Sequence, residues 1–195
     1  RRSRGNPWQD HYTRRARGEK YPARSVYKLE EIQKKVRLIR PGDRVLDLGC
    51  APGSWLILAA GLTGPTGSVI GIDITPVTIP LPDGAAARVG DVFEPDAVKA
   101  LGSPFEVVMS DMAPSTTGNR VVDTARSAAL CERALEIAEA VLVEGGRFVC
   151  KIFQGEYLEA FSDRVRKALE THRTFKPQSS RKASREIYLI GLGKR

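Results

Sequence analysis

The sequence predicts an α/β fold built on one doubly wound, mostly parallel sheet. Short apolar runs alternate with segments of helical periodicity from residue 25 to the end. A glycine turn, Gly49-Cys-Ala-Pro-Gly53, directly follows the first of these runs. Acids close three later runs in succession, at Asp73, Asp91 and Asp111. Strands separated by helices build parallel βαβ units. Such sheets bind ligands beyond the carboxyl ends of their strands, where turn amides and helix N-termini are exposed.

Each element follows in order. Residues 1–23 are basic and carry Gly5, Pro7, Gly18 and Pro22, which predicts a mobile or loosely docked arm ahead of a single domain over residues 24–195. From Ser25, apolar residues at Leu29, Ile32, Val36 and Ile39 recur at helical spacing, and Pro41-Gly42 is the expected stop. Lys28 lies one step off that stripe. Val45, Leu46 and Leu48 mark the first strand, and a helix is expected from Trp55 to Ala60. Ser68–Asp73 is a second strand. Pro76, Pro80 and Pro82 make residues 75–85 a loop, and Ala87–Val89 is a weak third strand. A short helix over Asp96–Leu101 precedes a fourth strand at Phe105–Met109. Val121–Val143 reads as a long helix ended by Gly145-Gly146, and Arg147–Phe153 as a fifth strand containing Lys151. Leu158, Phe161, Val165 and Leu169 mark another helix, and Glu186–Gly191 a final strand that could run antiparallel.

Charge placement points to a polyanion. Of a net charge of +8, residues 1–24 hold eight Arg/Lys against two acids, a local +6. Arg173, Lys176, Arg181, Lys182 and Arg185 add five cations with no acid among them between residues 173 and 185. Trp8, His11, Tyr12 and Tyr21 sit among the first group, and cations interleaved with rings suit a nucleic acid. The same runs could instead be a solvated face. Cys50, Cys131 and Cys150 are widely spaced and matched by no His cluster, so neither a metal site nor a disulfide framework is expected, and a reducing cytoplasm is the simplest setting. No apolar run reaches the ~18 residues of a membrane span, and no signal peptide is visible. The chain begins at Arg1 rather than Met, which leads us to expect that some N-terminal sequence has been removed or is missing.

The glycine turn alone could be a structural βα connection. The acids say more. Asp47 lies within the first strand, two residues before Gly49, and Asp73 ends the second strand about 20 residues later, where a nucleotide ribose is commonly held. The turn lacks the G-x-G-x-x-G of a dinucleotide site, which argues against a nicotinamide oxidoreductase. Several carboxylates do suit a ligand with an amino group, ribose hydroxyls and an adenine amine, namely S-adenosylmethionine. Methyl transfer from that sulfonium needs no metal; the protein must align a nucleophile and manage its proton. Neither a Pro-Cys pair for cytosine carbon methylation nor a Pro-Pro-aromatic motif for amine methylation follows the fourth strand, which reads Asp111-Met-Ala-Pro114. Oxygen methylation remains.

Four stretches, Asp47–Trp55, Ser110–Pro114, Val149–Gly155 and Ser179–Tyr188, with Ser25–Leu29 upstream, resemble the FtsJ/RrmJ family of RNA ribose 2'-O-methyltransferases. The resemblance runs from about Arg24 to Gly193 and covers residues 1–23 less well. It implies a Rossmann-like, class I S-adenosylmethionine-dependent methyltransferase fold, with a seven-stranded sheet whose last strand is antiparallel. It implies a catalytic tetrad at Lys28, Asp111, Lys151 and Glu186, with Lys151 the proton acceptor. Cofactor contacts fall on Gly53, Trp55, Asp73, Asp91 and Asp111, to which the strand–turn reading adds Asp47 and Gly49. The implied substrate is ribosomal RNA of the large subunit, most specifically a uridine in the 23S A-loop, and the implied enzyme is a cytoplasmic monomer. Two alternatives stay open: a tRNA ribose methyltransferase of the same family, and an inactive RNA-binding assembly factor. Cys50 stands where relatives usually carry alanine, a small change. The tetrad answers a chemical need. A free lysine is neutral only about 0.04% of the time at pH 7, and a second cation and burial favour the neutral amine while carboxylates oppose it.

Overall fold

The computed structural model describes residues 7–102, 104–181 and 183–195, with side chains from residue 11 onward. Residues 1–6 of the basic arm, the side chain of Trp8, and Lys182 of the second basic segment lie outside the described residues. The elements in order are α1 (Pro7–Gly18), α2 (Val26–Val36), β1 (Arg44–Leu48), α3 (Ser54–Thr63), β2 (Ser68–Asp73), β3 (Ala85–Val89), α4 (Pro95–Lys99), β4 (Phe105–Ser110), α5 (Arg120–Val141), β5 (Leu142–Phe153), α6 (Tyr157–Ala168), β6 (Leu169–Phe175) and β7 (Glu186–Lys194).

All seven strands form one sheet in the order β3-β2-β1-β4-β5-β7-β6. The β1–β5 neighbours pair in parallel, and β7 runs antiparallel to both β5 and β6. Side-chain alternation sends successive residues to opposite faces. Val45, Val107, Val149 and Ile190 pack with Leu29 and Ile32 of α2 and Leu56 and Ala59 of α3. Leu46, Val108, Cys150 and Leu189 pack with Cys131, Ala134 and Leu135 of α5 and Phe161 and Val165 of α6. The result is a three-layer sandwich with a core on each face.

Several elements differ from the pattern in the sequence. The N-terminal segment is helical over residues 7–18: α1 buries Ala16, and Tyr12 tilts against Tyr27 of α2 with ring centroids 5.3 Å apart. Its docking uses rings and the arginine at 15, whose guanidinium lies 4.4 Å over the Tyr27 ring, and such contacts leave no aliphatic stripe to read. α2 stops at Val36, before Pro41, because Arg37 turns into the left-handed region. β3 begins at Ala85. β6 is a strand the periodicity does not announce: it is the sheet's edge, and Glu170, Thr171, Arg173 and Thr174 are exposed, so it reads as polar. Gly145-Gly146 does not end α5. The helix stops at Val141, Leu142 already pairs with Phe105, and both glycines occupy the bulge before the register resumes at Val107↔Arg147.

One polar contact ties these layers together below the site. Arg147, buried at the start of the regular part of β5, donates to Leu38 O at 2.7 Å and to Asp43 Oδ1 at 2.9 Å. Asp43 Oδ2 also accepts from Arg40 N at 2.6 Å, so the loop between α2 and β1 is pinned to the sheet. Removing one member of a buried pair strands the other charge, at a cost of roughly 3–5 kcal/mol. Asp43→Ala is therefore expected to lower the urea unfolding free energy by about 3 kcal/mol; a loss below ~1 kcal/mol would show that the pair does not carry this loop.

Candidate active site

The carboxyl ends of β1, β2, β4 and β5 converge on the site. Asp111 follows β4, and Lys151 lies in β5 with only 5% of its side chain exposed. Lys151 Nζ donates to Asp111 O at 2.6 Å and lies 3.1 Å from Asp111 Oδ1. Lys28, from α2, is 2.9 Å from Glu186 Oε2 at the start of β7. Glu186 Oε1 lies 3.9 Å from Lys151 Nζ, closing the circuit. The four residues expected from sequence as a tetrad thus come together from an α-helix and three strand ends, though they are 158 residues apart at the extremes.

Tyr188, which the sequence reading did not single out, sits among them. It is the register partner of Lys151 across β5 and β7, and its hydroxyl donates to Asp111 Oδ1 at 2.5 Å. Burial, reinforced by the Asp111 charge, pushes the phenol well above its ordinary range, so it remains a donor. The Lys28 ammonium lies 5.9 Å from the centroid of its ring. The signal was available: Tyr188 is two residues from Glu186 and therefore shares its strand face.

A cavity of about 770 Å³ opens on the other side of Asp111. Gly49, Asp73, Asp91 and Asp111 line it, as the sequence suggests. Asp73 accepts from Ala51 N at 3.0 Å and Thr75 N at 2.8 Å, and Asp91 from Phe93 N at 2.9 Å, so each acid organises its own strand-end turn. Gly49, at φ +81°, admits no side chain, since a Cβ there would lie 2.5 Å from Met112 Cγ. Gly53 and Trp55 do not border the cavity. Gly53 caps α3 at φ +111°, and buried Trp55 donates from its indole to Ser25 O at 2.9 Å while facing Tyr188 at 6.0 Å. Trp55 therefore fixes the start of the helix bearing Lys28. Ile74, Phe93 and Met112 line the cavity and were missed. Each follows a strand-end acid by one or two residues, which is the signal that could have found them. Ile74 and Phe93 are 73% and 50% exposed, unusual for large apolar side chains outside a binding site.

Asp47 lies beneath this cavity. It is fully buried and, among the described residues, neither carboxylate oxygen has a hydrogen-bond partner. Desolvation first, then the charges of Asp111 and Asp73, push its carboxyl well above the usual range. The acid-lined cavity, the glycine cradle and this unpartnered carboxylate together fit a ligand that is cationic and carries hydroxyl and amine donors.

The comparisons with known proteins agree with that geometry. A model of the FtsJ-like methyltransferases matches residues 21–194. The chain belongs to the FtsJ-like methyltransferase family. Ribosomal RNA large subunit methyltransferase E of Desulforapulum autotrophicum is 56% identical over 192 residues, spanning 97% of this chain and 95% of that protein. The protein of the same name from Desulfatibacillum aliphaticivorans is 53% identical over 192 residues, with 97% and 93% covered. A putative ribosomal RNA methyltransferase from Plasmodium falciparum superposes with a TM-score of 0.79 at 25% identity over 89% of this chain and 98% of that one. Fibrillarin from Aeropyrum pernix, solved with natively bound S-adenosyl-L-methionine, shares the fold at TM-score 0.63 and 17% identity, over 86% of this chain and 76% of that one.

Asp47 makes the site's electrostatics measurable. In the folded chain it keeps its proton to higher pH than the ~3.9 of an unfolded Asp, so the unfolded state releases a proton first and stability falls as pH rises above about 4. Asp47→Asn is expected to be more stable than the parent at pH 7, with the difference vanishing as pH falls towards 4. A difference independent of pH, in paired thermal melts, would contradict the assignment.

Proposed function

We propose that this protein transfers a methyl group from S-adenosylmethionine to a ribose 2'-hydroxyl of large-subunit ribosomal RNA, with a uridine of the 23S A-loop as the target, and acts as a cytoplasmic monomer. The observation that carries the reading is the Lys28–Glu186–Lys151–Asp111 circuit, joined to an acid-lined cavity through Asp111 itself. The names of relatives above 50% identity support the substrate. The three buried free cysteines accord with a reducing compartment.

In this reading Asp73 holds ribose hydroxyls and Asp91 an adenine amine, with Ile74 and Phe93 against the ring faces. Gly49 and Met112 shape the amino-acid end. The bound donor supplies an electrophilic methyl on sulfonium sulfur. The chain's own work is then orientation and proton management. Lys151 Nζ has three tetrahedral positions beyond its carbon, and Asp111 occupies two through its carbonyl and carboxylate. The third faces Glu186 across 3.9 Å, too long for a hydrogen bond, and leaves a place for the 2'-oxygen. Lys151 there fixes the hydroxyl and takes its proton as the oxygen–methyl bond forms. Lys28 holds Glu186 away from Lys151, and Tyr188 keeps Asp111 from rotating. Preorganised dipoles of this kind need no rearrangement during reaction.

The basic segments would carry the RNA. Arg24 donates to Ser179 O at 2.6 Å, and Glu31 accepts from Gln178 N and Ser179 N at 2.6 and 2.8 Å, so the N-terminal region and residues 173–185 meet beside α2, on the Lys28 side. That supports one continuous face.

Two tests follow. Lys151→Ala is expected to lower transfer of a tritiated methyl group to undermethylated large subunits by at least about 100-fold, while calorimetry finds donor affinity unchanged. A fully active variant would sink the proton-acceptor role, and a methylated nucleotide mapped to tRNA would replace the substrate. Neutralising exposed Arg17, Lys35 and Arg181 with glutamine should flatten the slope of log affinity for RNA against log salt by about 0.7 for each phosphate that is no longer neutralised. An unchanged slope would remove these cations from the RNA face.

A further inference from the structure

Phe153 is used neither by the cavity nor by the catalytic circuit, yet it stands beside Glu186 at the open edge of that circuit. It is the last residue of β5 and pairs directly with Glu186 across β7. Alternation along β5 puts it on the same face as Lys151, two residues and roughly 6.6 Å further along the strand, towards the open end of the sheet. Its ring is only partly buried. The Arg185 guanidinium reaches round the strand end and lies 5.7 Å from the ring centroid, looser than the 4.4 Å at which Arg15 covers Tyr27. Arg185 is also held in place, donating to Thr124 Oγ1 at 3.2 Å, with the Asp123 carboxylate nearby.

We infer that Phe153 and Arg185 form a stacking platform for the unpaired nucleobase of the nucleotide being methylated. The inference rests on the ribose-methylation reading above. A 2'-hydroxyl placed at Lys151 belongs to a carbon adjacent to the one that carries the base, so that base must lie a few ångströms away on the substrate side of the sheet. The donor cavity occupies the other side, beyond Asp111. Between Lys151 and the basic segments, the partly open surface along the strand is Phe153 with Arg185. A base held in a duplex cannot present a face to a ring, whereas a base in a loop can be splayed out and stacked on an aromatic side chain or a guanidinium plane. Stacking of this kind tolerates every base, because each has a π-face. Phe153 therefore selects for single-stranded geometry at the target, leaving base identity to be read elsewhere.

The experiment uses the full chain, a tritiated donor and undermethylated large ribosomal subunits. Phe153→Leu keeps apolar volume but removes the ring; Phe153→Trp keeps a ring. Phe153→Leu is expected to raise KM for the subunit about tenfold or more, with donor affinity by calorimetry unchanged. Phe153→Trp should remain within about threefold of the parent. The platform is overturned if Phe153→Leu leaves KM within twofold, if Phe153→Trp loses as much as Phe153→Leu, or if donor affinity falls in step, each of which marks a packing role. A parent enzyme that transfers no methyl group to the subunit overturns the functional reading instead, and a parent active beside an unaffected Phe153→Leu overturns the platform alone.

Discussion

Everything at the catalytic end of the sheet depends on the contact between Asp111 and Lys151. Lys151 carries a buried amine, and a buried amine is tolerable only when its donors are met. Asp111 meets two of them from a single residue, with its main-chain carbonyl and its carboxylate. The same carboxylate accepts from Tyr188, and the same residue lines the cavity. Displacing β4 against β5 by one residue would therefore unmake the amine's hydrogen bonds, the phenol's partner and the cavity wall together. The parallel register Ser110↔Cys150 is what prevents it.

That contact also separates two approaches. Lys151, Tyr188 and Val149 share one face of the sheet, which α2 and α3 cover, and Lys28 enters from that side. The cavity opens against α5, where Arg126, Ala129 and Leu130 form its wall. Donor and nucleophile can thus reach Asp111 from opposite sides without competing for space. Bringing two reactants into line is the larger part of what a displacement needs. α2 is placed for this by long-range ties: Trp55 holds the carbonyl of Ser25, and Ser54 Oγ both accepts from Ala23 N and donates to Ala23 O. Those ties come from the helix that follows the glycine turn, so the turn that shapes the cavity also sets the position of Lys28.

Much of this was legible in the chain, and the reasons differ by residue. β1, β2 and β4 are largely buried and read as short, mostly apolar runs, so their ends, and the acids there, were plain. The tetrad was legible only through family motifs, because Lys28 and Glu186 have no local pattern and meet across 158 positions. β6 was hidden because an edge strand with exposed polar residues lacks the alternation that betrays its neighbours. α1 was hidden because it docks through rings and an arginine. Trp55 shows another limit: the family motif places it among the cofactor contacts, and its indole faces Ser25 and Tyr188. Proximity in sequence to a binding turn does not say which way a side chain points from a helix.

The acids impose a conflict that the fold does not resolve by itself. Burial, and then the charges of Asp111 and Asp73, raise the cost of ionising Asp47. Local consistency would place an apolar residue there, and departures from local consistency concentrate at functional sites. Cys50 adds no charge to the group: burial and the charges of Asp47 and Asp73 push its thiol upward, so it packs as a small neutral side chain against Gly71. A cation bound in the cavity would lower that cost for Asp47. Binding to the folded state alone stabilises it in proportion to the logarithm of ligand concentration over affinity. The cost of ionising Asp47 in the free protein and the affinity for a cationic donor are thus linked, because a bound cation offsets the charge that Asp47 otherwise avoids by keeping its proton.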